Sequence, residues 1–233
     1  MHMSIFKKNS NFFDNYFNIY DKNGLKIKLS FFIILLVFIN SIVVPVPNSY
    51  IQQVRNLYIL EGFDIIYEYL IPLYSLFLIF YVFFNDYKDK TYELIQFYNK
   101  GNYNHIMILR FFIPISIILS GSFLSGLIYY REISFLDFRN IFLSIRFLPN
   151  TIFICSMFLF ITTITKNSCA GILTTSTYMI VDYLTCGRLL KIFSIGANMY
   201  NFYYCISPLY YIINRLLIIS LSIIFLIISF KNN

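Results

Sequence analysis

Six times along this chain, apolar residues run on for a length that suits a bilayer better than a water-facing surface. A hydrocarbon core about 30 Å thick takes roughly 20 residues of helix. The runs are 29–44, stopped by Pro45 and Pro47; 69–85, read as a span from 66 to 85; 111–130; 147–165; 167–186, uncharged until Asp182; and 211–230, with Arg215 near its mouth. The stretch ahead of the last run is also uncharged, but Gly196, Asn198, Asn201 and Pro208 break it. Residues 187–210 are therefore read as an extracellular or re-entrant segment. The expected fold is all-α: a single domain over 1–233, built as a six-helix polytopic membrane protein.

Composition closes the soluble alternatives. Hydrophobic residues make up 58% of the chain and charged residues 12%, where a soluble domain carries about 25% charge. There are 27 Phe and 21 Tyr but only 2 His and 4 Cys, which excludes a disulfide scaffold, a multi-histidine metal enzyme and a soluble nucleic-acid binder. His2 and His105 cannot supply the three or four ligands of a metal centre. Cys186 and Cys205 both fall on the outer side and could pair, although sequence fixes no geometry for it. The N-terminus lacks a basic, apolar and small-residue cleavage pattern, so no removed signal peptide is expected.

Lysine and arginine set the orientation. Lys7, Lys8, Lys22, Lys26, Lys28, Lys88, Lys90, Lys100, Arg110, Lys166 and Lys231 share one side, eleven against seven on the other. Both termini are expected in the cytoplasm of a cell membrane. Residues 5–27 place Phe12, Phe13, Tyr16, Phe17 and Tyr20 at spacings of three and four, the pattern of an amphipathic helix lying in the interface. A disordered basic tail is the alternative, though such tails are poor in aromatics.

The cytoplasmic loop 86–110 is the most informative stretch. Asp86 and Asp89 precede Thr91; Glu93 opens a helical pattern with Leu94, Phe97 and Tyr98; Lys100 and Gly101 suit its end. A second pattern through Tyr103, Ile106 and Arg110 runs into the third span. A helix with one apolar stripe must cover its own bundle or a partner's groove.

These residues resemble the membrane subunit of the type-two ATP-binding-cassette (ABC) exporters. That family has an acidic residue after the second span, a Thr-x-Glu-Leu-Leu-like helix, a turn, and a basic-tipped run-in helix. Here these are Asp86 and Asp89, Thr91-Tyr92-Glu93-Leu94-Ile95, Gly101-Asn102, and Arg110. The turn departs from the family, with Asn102-Tyr103-Asn104 where Pro, a small polar residue and Arg are usual. The resemblance implies that Asp86, Asp89, Thr91, Glu93, Leu94, Phe97 and Tyr98 form a coupling helix docking on a cytoplasmic ABC ATPase subunit. It also implies a second permease subunit, identical or similar, and outward transport. Among such permeases, small Phe/Tyr/Ile-rich chains are similar to those of Gram-positive bacteria that export antimicrobial or toxin peptides, so an amphipathic peptide is the expected cargo. The chain has no G-x-x-x-x-G-K-[ST] and no G-x-G-x-x-G motif, so it is not expected to be an enzyme: ATP and Mg belong to the partner, and this chain binds no cofactor. Two alternatives stay open. One is the substrate-binding membrane component of a vitamin importer, although 29–44 lacks the Ala-based motif those use. The other is a membrane scaffold or sensor.

Polar residues within spans complete the reading. Gly171, Thr175, Tyr178, Asp182 and Thr185 share one helix face, so Thr175, Tyr178 and Asp182 are candidates for a substrate path. For Asp182 itself, reaching outer headgroups or pairing with Arg188 is the preferred reading. Ser116, Ser120, Gly121, Ser122, Ser125 and Gly126 suit close helix packing. Glu61, Asp64 and Glu68 are read as a solvated outer segment.

Overall fold

A computed structural model describes residues 24–44, 46, 66–88, 92–93, 103–132, 137–145, 147–196 and 208–231. All regular elements among them are helical. They are α1 (Leu25–Val43); a π turn (Ile66–Leu70) leading into α2 (Ile71–Lys88); α3 (Tyr103–Tyr129), continued by a 3-10 turn (Tyr130–Glu132); α4 (Phe138–Ile145); α5 (Leu148–Thr165); α6 (Ser168–Leu184); a 3-10 turn (Lys191–Phe193); and α7 (Pro208–Lys231). Among the described residues, five stretches are long and apolar enough to cross a membrane: Leu25–Val43, Tyr67–Lys88, Met107–Glu132, Asn140–Thr165 and Ile212–Lys231. α6 has 17 residues, a rise of about 26 Å at about 1.5 Å per residue.

Several boundaries differ from expectation. The interfacial helix expected over 5–27 lies mostly outside the described residues, and its last residues, 25–27, already belong to α1. Gly24 explains the entry: it takes φ 61, a conformation that costs glycine little, and its carbonyl accepts the Lys28 N–H at 2.8 Å. The run-in helix and the third span are one 27-residue helix, with Pro114 accommodated inside it. α4 is an additional element. Its spacing was present in the sequence, but Phe138, Ile141, Phe142 and Ile145 point outward while Asn140, Leu143 and Ser144 are buried. The inward side is polar because it meets backbone: Asn140 Nδ2 donates to the Leu127 carbonyl at 3.0 Å. An outward apolar face suits lipid, not water.

α2 and α5 occupy the centre. In each, 61% of the apolar window is buried, against 22% in α1. The main core joins Leu76, Ile79, Val82 and Phe83 of α2 to Phe111 of α3, Phe158 of α5, Met179 of α6 and Ile218 of α7. A second cluster closes one end of the bundle, where Tyr67, Tyr129, Tyr130 and Phe147 pack ring to ring. There Ser41 of α1 shares a hydrogen bond with the Tyr67 hydroxyl at 2.8 Å. The opposite end is marked by Lys166, whose ammonium lies 5.3 Å from the centre of the Tyr92 ring.

Close approaches depend on missing side chains. A Cβ on Gly121 would stand 2.5 Å from Ile34, so the small residues of α3 let α1 press against it. Ser116 and Ser120 serve differently: both are exposed and donate to carbonyls of their own helix. Between α5 and α6, a Cβ on Gly171 would meet Thr162 Oγ1 at 2.2 Å. The connection there is only two residues: Lys166 (φ 53) ends α5, and the Asn167 side chain caps α6 by accepting from Cys169 N at 2.9 Å. Gly171→Ala should therefore cost about 1–3 kcal/mol by overpacking. Thr162→Ala alone should be nearly neutral, since the buried Thr162 hydroxyl makes no hydrogen bond among the described residues. The double variant should melt at a higher temperature than Gly171→Ala in detergent; equal melting of the two would show that the gap between α5 and α6 is not the constraint.

Candidate functional site

Two polar constellations stand at opposite ends of the bundle. The first lies where α2 leaves the core and α3 enters it. Asp86, on the last turn of α2, forms a bidentate ion pair with Arg110 of α3, Nη2 meeting Oδ1 at 3.2 Å and Nη1 bonding Oδ2. Both side chains are almost fully buried, at 8% and 2% exposure. Arg110 Nη2 also donates to the Val82 carbonyl at 2.6 Å, and the guanidinium lies over the Phe83 ring, 5.2 Å from its centre. A planar fork is needed to fill all of these positions together. Just beyond, Tyr92 stacks on Tyr87 with ring centres 5.2 Å apart and donates to Glu93 Oε1 at 2.9 Å. Lys166 covers the Tyr92 ring from the α5–α6 turn, and burial lowers the proton affinity of its amine from the ordinary value.

Of the residues expected to form the coupling helix, Asp86 faces inward and Glu93 outward. Asp89, Thr91, Leu94, Phe97 and Tyr98 lie outside the described residues. Sequence reasoning placed Asp86 and Arg110 in the same loop without pairing them. Opposite charges at the two apolar borders of one loop were the available signal.

The second constellation surrounds the chain after α6. Here α6 stops in a Schellman turn: Gly187 N donates to the Asp182 carbonyl at 3.0 Å and Cys186 N to that of Tyr183 at 3.1 Å. Cys186 holds φ 51 at the position where glycine is usual. The chain then folds back through the 3-10 turn, and Ser194 becomes extended at φ −60, ψ 137. Its backbone is met by side chains from three helices, α5, α6 and α7. Asp182 Oδ2 accepts from Ile195 N at 2.9 Å, Gly196 N at 3.3 Å and the Tyr69 hydroxyl at 3.0 Å. Asn214 Nδ2 donates to the Ile192 carbonyl at 2.5 Å and that of Ser194 at 2.9 Å. The Ile195 carbonyl accepts from Asn150 Nδ2 at 2.7 Å and from Arg215 at 3.2 and 3.3 Å; Arg215 also donates to Asn150 Oδ1. Tyr178 donates its hydroxyl to the Phe193 carbonyl.

This corrects the preferred reading of Asp182. It is fully buried while Arg188 is exposed, so it neither reaches headgroups nor pairs with that arginine. The α6 face itself is inward: Gly171, Thr175 and Asp182 are buried and Tyr178 half-buried. Thr175 uses its hydroxyl on the Gly171 carbonyl at 2.7 Å. Glu68 is likewise corrected, being fully buried in the π turn instead of solvated; Glu61 and Asp64 lie outside the described residues. Tyr69, Asn150 and Asn214 were not singled out. Polar residues inside apolar runs are expected to face the bundle interior, and Asn214-Arg215 was such a signal.

Cys186 is a free, half-buried thiol, and Cys205 lies outside the described residues. No three His, Cys, Asp or Glu side chains gather as a metal site among the described residues. No family model, curated protein or solved structure matches the chain.

Truncating either member of the Asp86–Arg110 pair should cost about 3–5 kcal/mol, because the remaining charge is stranded in a buried site. The joint replacement Asp86→Leu with Arg110→Met should recover most of that loss. Denaturant or thermal unfolding in detergent reads both effects. Additive losses in the double variant would mean that the two side chains act independently.

Proposed function

We propose that this chain is the permease subunit of an ATP-driven ABC exporter in a bacterial cell membrane. It crosses the membrane six times with both termini in the cytoplasm, pairs with itself or a second permease subunit, and moves an amphipathic peptide or other lipophilic molecule outward. ATP and Mg act on separate cytoplasmic ABC ATPase subunits.

The observation that carries the reading is the clamped base of loop 86–110. Asp86 and Arg110 tie both ends of the loop into the core, through Val82 and Phe83 of the central helix α2. Tyr92, at the start of the loop helix, rests on Tyr87 and under Lys166 of the α5–α6 turn. A push on such a loop is delivered to α2, α3, α5 and α6 together, as a coupling element requires. The count of six spans draws support from α6, which begins beside Lys166 and Tyr92 at one end and reaches Tyr69 at the other. Aromatic and aliphatic walls suit a cargo that enters from lipid, since the described spans offer no cluster of charges for a small ion.

The tagged chain, extracted in mild detergent, should retain an ABC ATPase subunit from its native host. Glu93→Pro should keep membrane insertion but abolish that retention, since Pro in a helix interior costs about 3 kcal/mol or more. Recovery of the intact chain with no ATPase, from cells expressing the whole neighbouring operon, would overturn the exporter reading in favour of a scaffold or sensor.

A further inference from the structure

The side chains around residues 192–196 direct most of their hydrogen bonds at main chain, while the Ile195 side chain is buried in the main core. Asp182 and Asn214 grip the peptide group between Ser194 and Ile195 from opposite sides, one accepting its N–H and the other donating to its carbonyl. The next peptide group is held the same way, its N–H by Asp182 and its carbonyl by Asn150 and Arg215. Two consecutive peptide groups of a segment that bends at Ile195 and Gly196 are thus fully satisfied by buried side chains. Bound peptides gain affinity through main-chain bonds.

We propose that Asn150, Asp182, Asn214 and Arg215 form a peptide-binding cradle, filled in this structure by the chain's own Ser194–Gly196 and open to a peptide of the same bent main-chain shape when that segment leaves. The inference deepens the reading of a peptide as cargo, and rests on it for its role in transport. Three further observations bear on it. Asp182 Oδ1 and Asn214 Oδ1 are buried yet make no hydrogen bond among the described residues, although the Ser194 hydroxyl is a polar neighbour of the Asp182 carboxylate. Asn214 Oδ1 is thus an acceptor that the resident segment does not use. The segment is also reached through a turn in which Cys186 and Lys191 both hold left-handed backbone conformations, φ 51 and 52, that L side chains rarely adopt. Finally, an open hollow of about 600 Å³ lies beside that turn, lined by Leu184, Thr185, Cys186, Arg188 and Leu189.

The segment can be displaced without touching the cradle. A Cβ on Gly196 would stand 2.3 Å from the Tyr69 hydroxyl, so Gly196→Val should expel the strand. Ile195→Pro should do so independently, by removing the N–H that Asp182 accepts. The probe is a fluorescent synthetic peptide with the sequence of residues 190–197, and its counterpart methylated on the nitrogens matching Ile195 and Gly196. Binding is read by anisotropy with the full chain in lipid nanodiscs. Both variants should bind the unmethylated peptide at least tenfold more tightly than the unaltered protein does, and methylation should remove at least tenfold of that affinity. Equal binding by variants and unaltered protein, or indifference to methylation, would overturn the proposal. So would failure of both variants to give monodisperse protein, which would make the segment a fixed cap. Peptide binding without any captured ATPase would leave the cradle standing and sink the exporter; the reverse pattern would do the opposite.

Discussion

Asp182 and Arg215 are both buried, carry opposite charges, and are bridged by the backbone of residue 195: the carboxylate takes its N–H and the guanidinium its carbonyl. In hydrocarbon, an unsatisfied polar group costs several kcal/mol, and a charge costs more. Each is compensated through the backbone between them, and would need another partner in its place if that segment left. The constraint also works in reverse. Buried irregular backbone must have its polar groups satisfied, so the turn and the segment after α6 can pack inward only because α5, α6 and α7 bring an Asn, an Asp and an Asn-Arg pair to it. The rest of this end follows, including Gly196, which must lack a side chain to let Tyr69 reach the same carboxylate.

The other end solves the same problem by direct contact. Asp86 and Arg110 meet face to face, and the Val82 carbonyl takes one of the remaining donors. Buried pairs of this kind add little net stability compared with apolar side chains of the same volume, but they are costly to break and fix geometry. Here the geometry fixed is the exit of α2 relative to the entry of α3. One end of the bundle is therefore held by a rigid clamp. The other is held by a set of hydrogen bonds to main chain, each exchangeable for a bond to another peptide.

Much of this was legible from hydropathy alone. Long apolar runs must be helices in lipid, and each of the six runs overlaps an observed helix, with α3 starting well before the run it contains. The errors lie where hydropathy is silent. α4 escaped because its apolar face points outward and its polar face inward, so burial by protein and burial by lipid exchange their usual signatures. The continuous α3 was divided at Arg110, because a charged residue marks a membrane border when it is solvated; this one is buried against Asp86. Asp182 was given to the headgroups for the same reason, since its depth along α6 could be counted but its partners at 69, 195 and 196 are far away in sequence. Pairings across 24, 65 or 113 residues are tertiary facts. A single chain's periodicity identifies which residues need partners, not which ones they find.

The distribution of burial then bears on how the molecule works. α2 and α5 are enclosed, while α1 presents Phe31, Phe32, Leu35 and Ile39 outward and touches the bundle along a narrow line through Ser30, Ile33, Val37 and Ser41. That line meets α3 where Gly121 leaves room for Ile34. Shifting α1 would disturb Ile33, Val37 and the Ser41–Tyr67 bond, whereas displacing α2 would break the Asp86–Arg110 clamp and the Tyr69–Asp182 bond at once. Both polar constellations are rooted in α2 or on its approach, at its two ends. Rigid displacement of α2 along its axis would therefore load the clamp and, through Tyr69 and Asp182, the 194–196 segment together; the clamp is one direct ion pair, whereas the segment is held by separate hydrogen bonds from Asn150, Asn214 and Arg215 and to a single carboxylate oxygen. This mechanical asymmetry makes the end bearing residues 192–196 the place where motion of the loop end would be released.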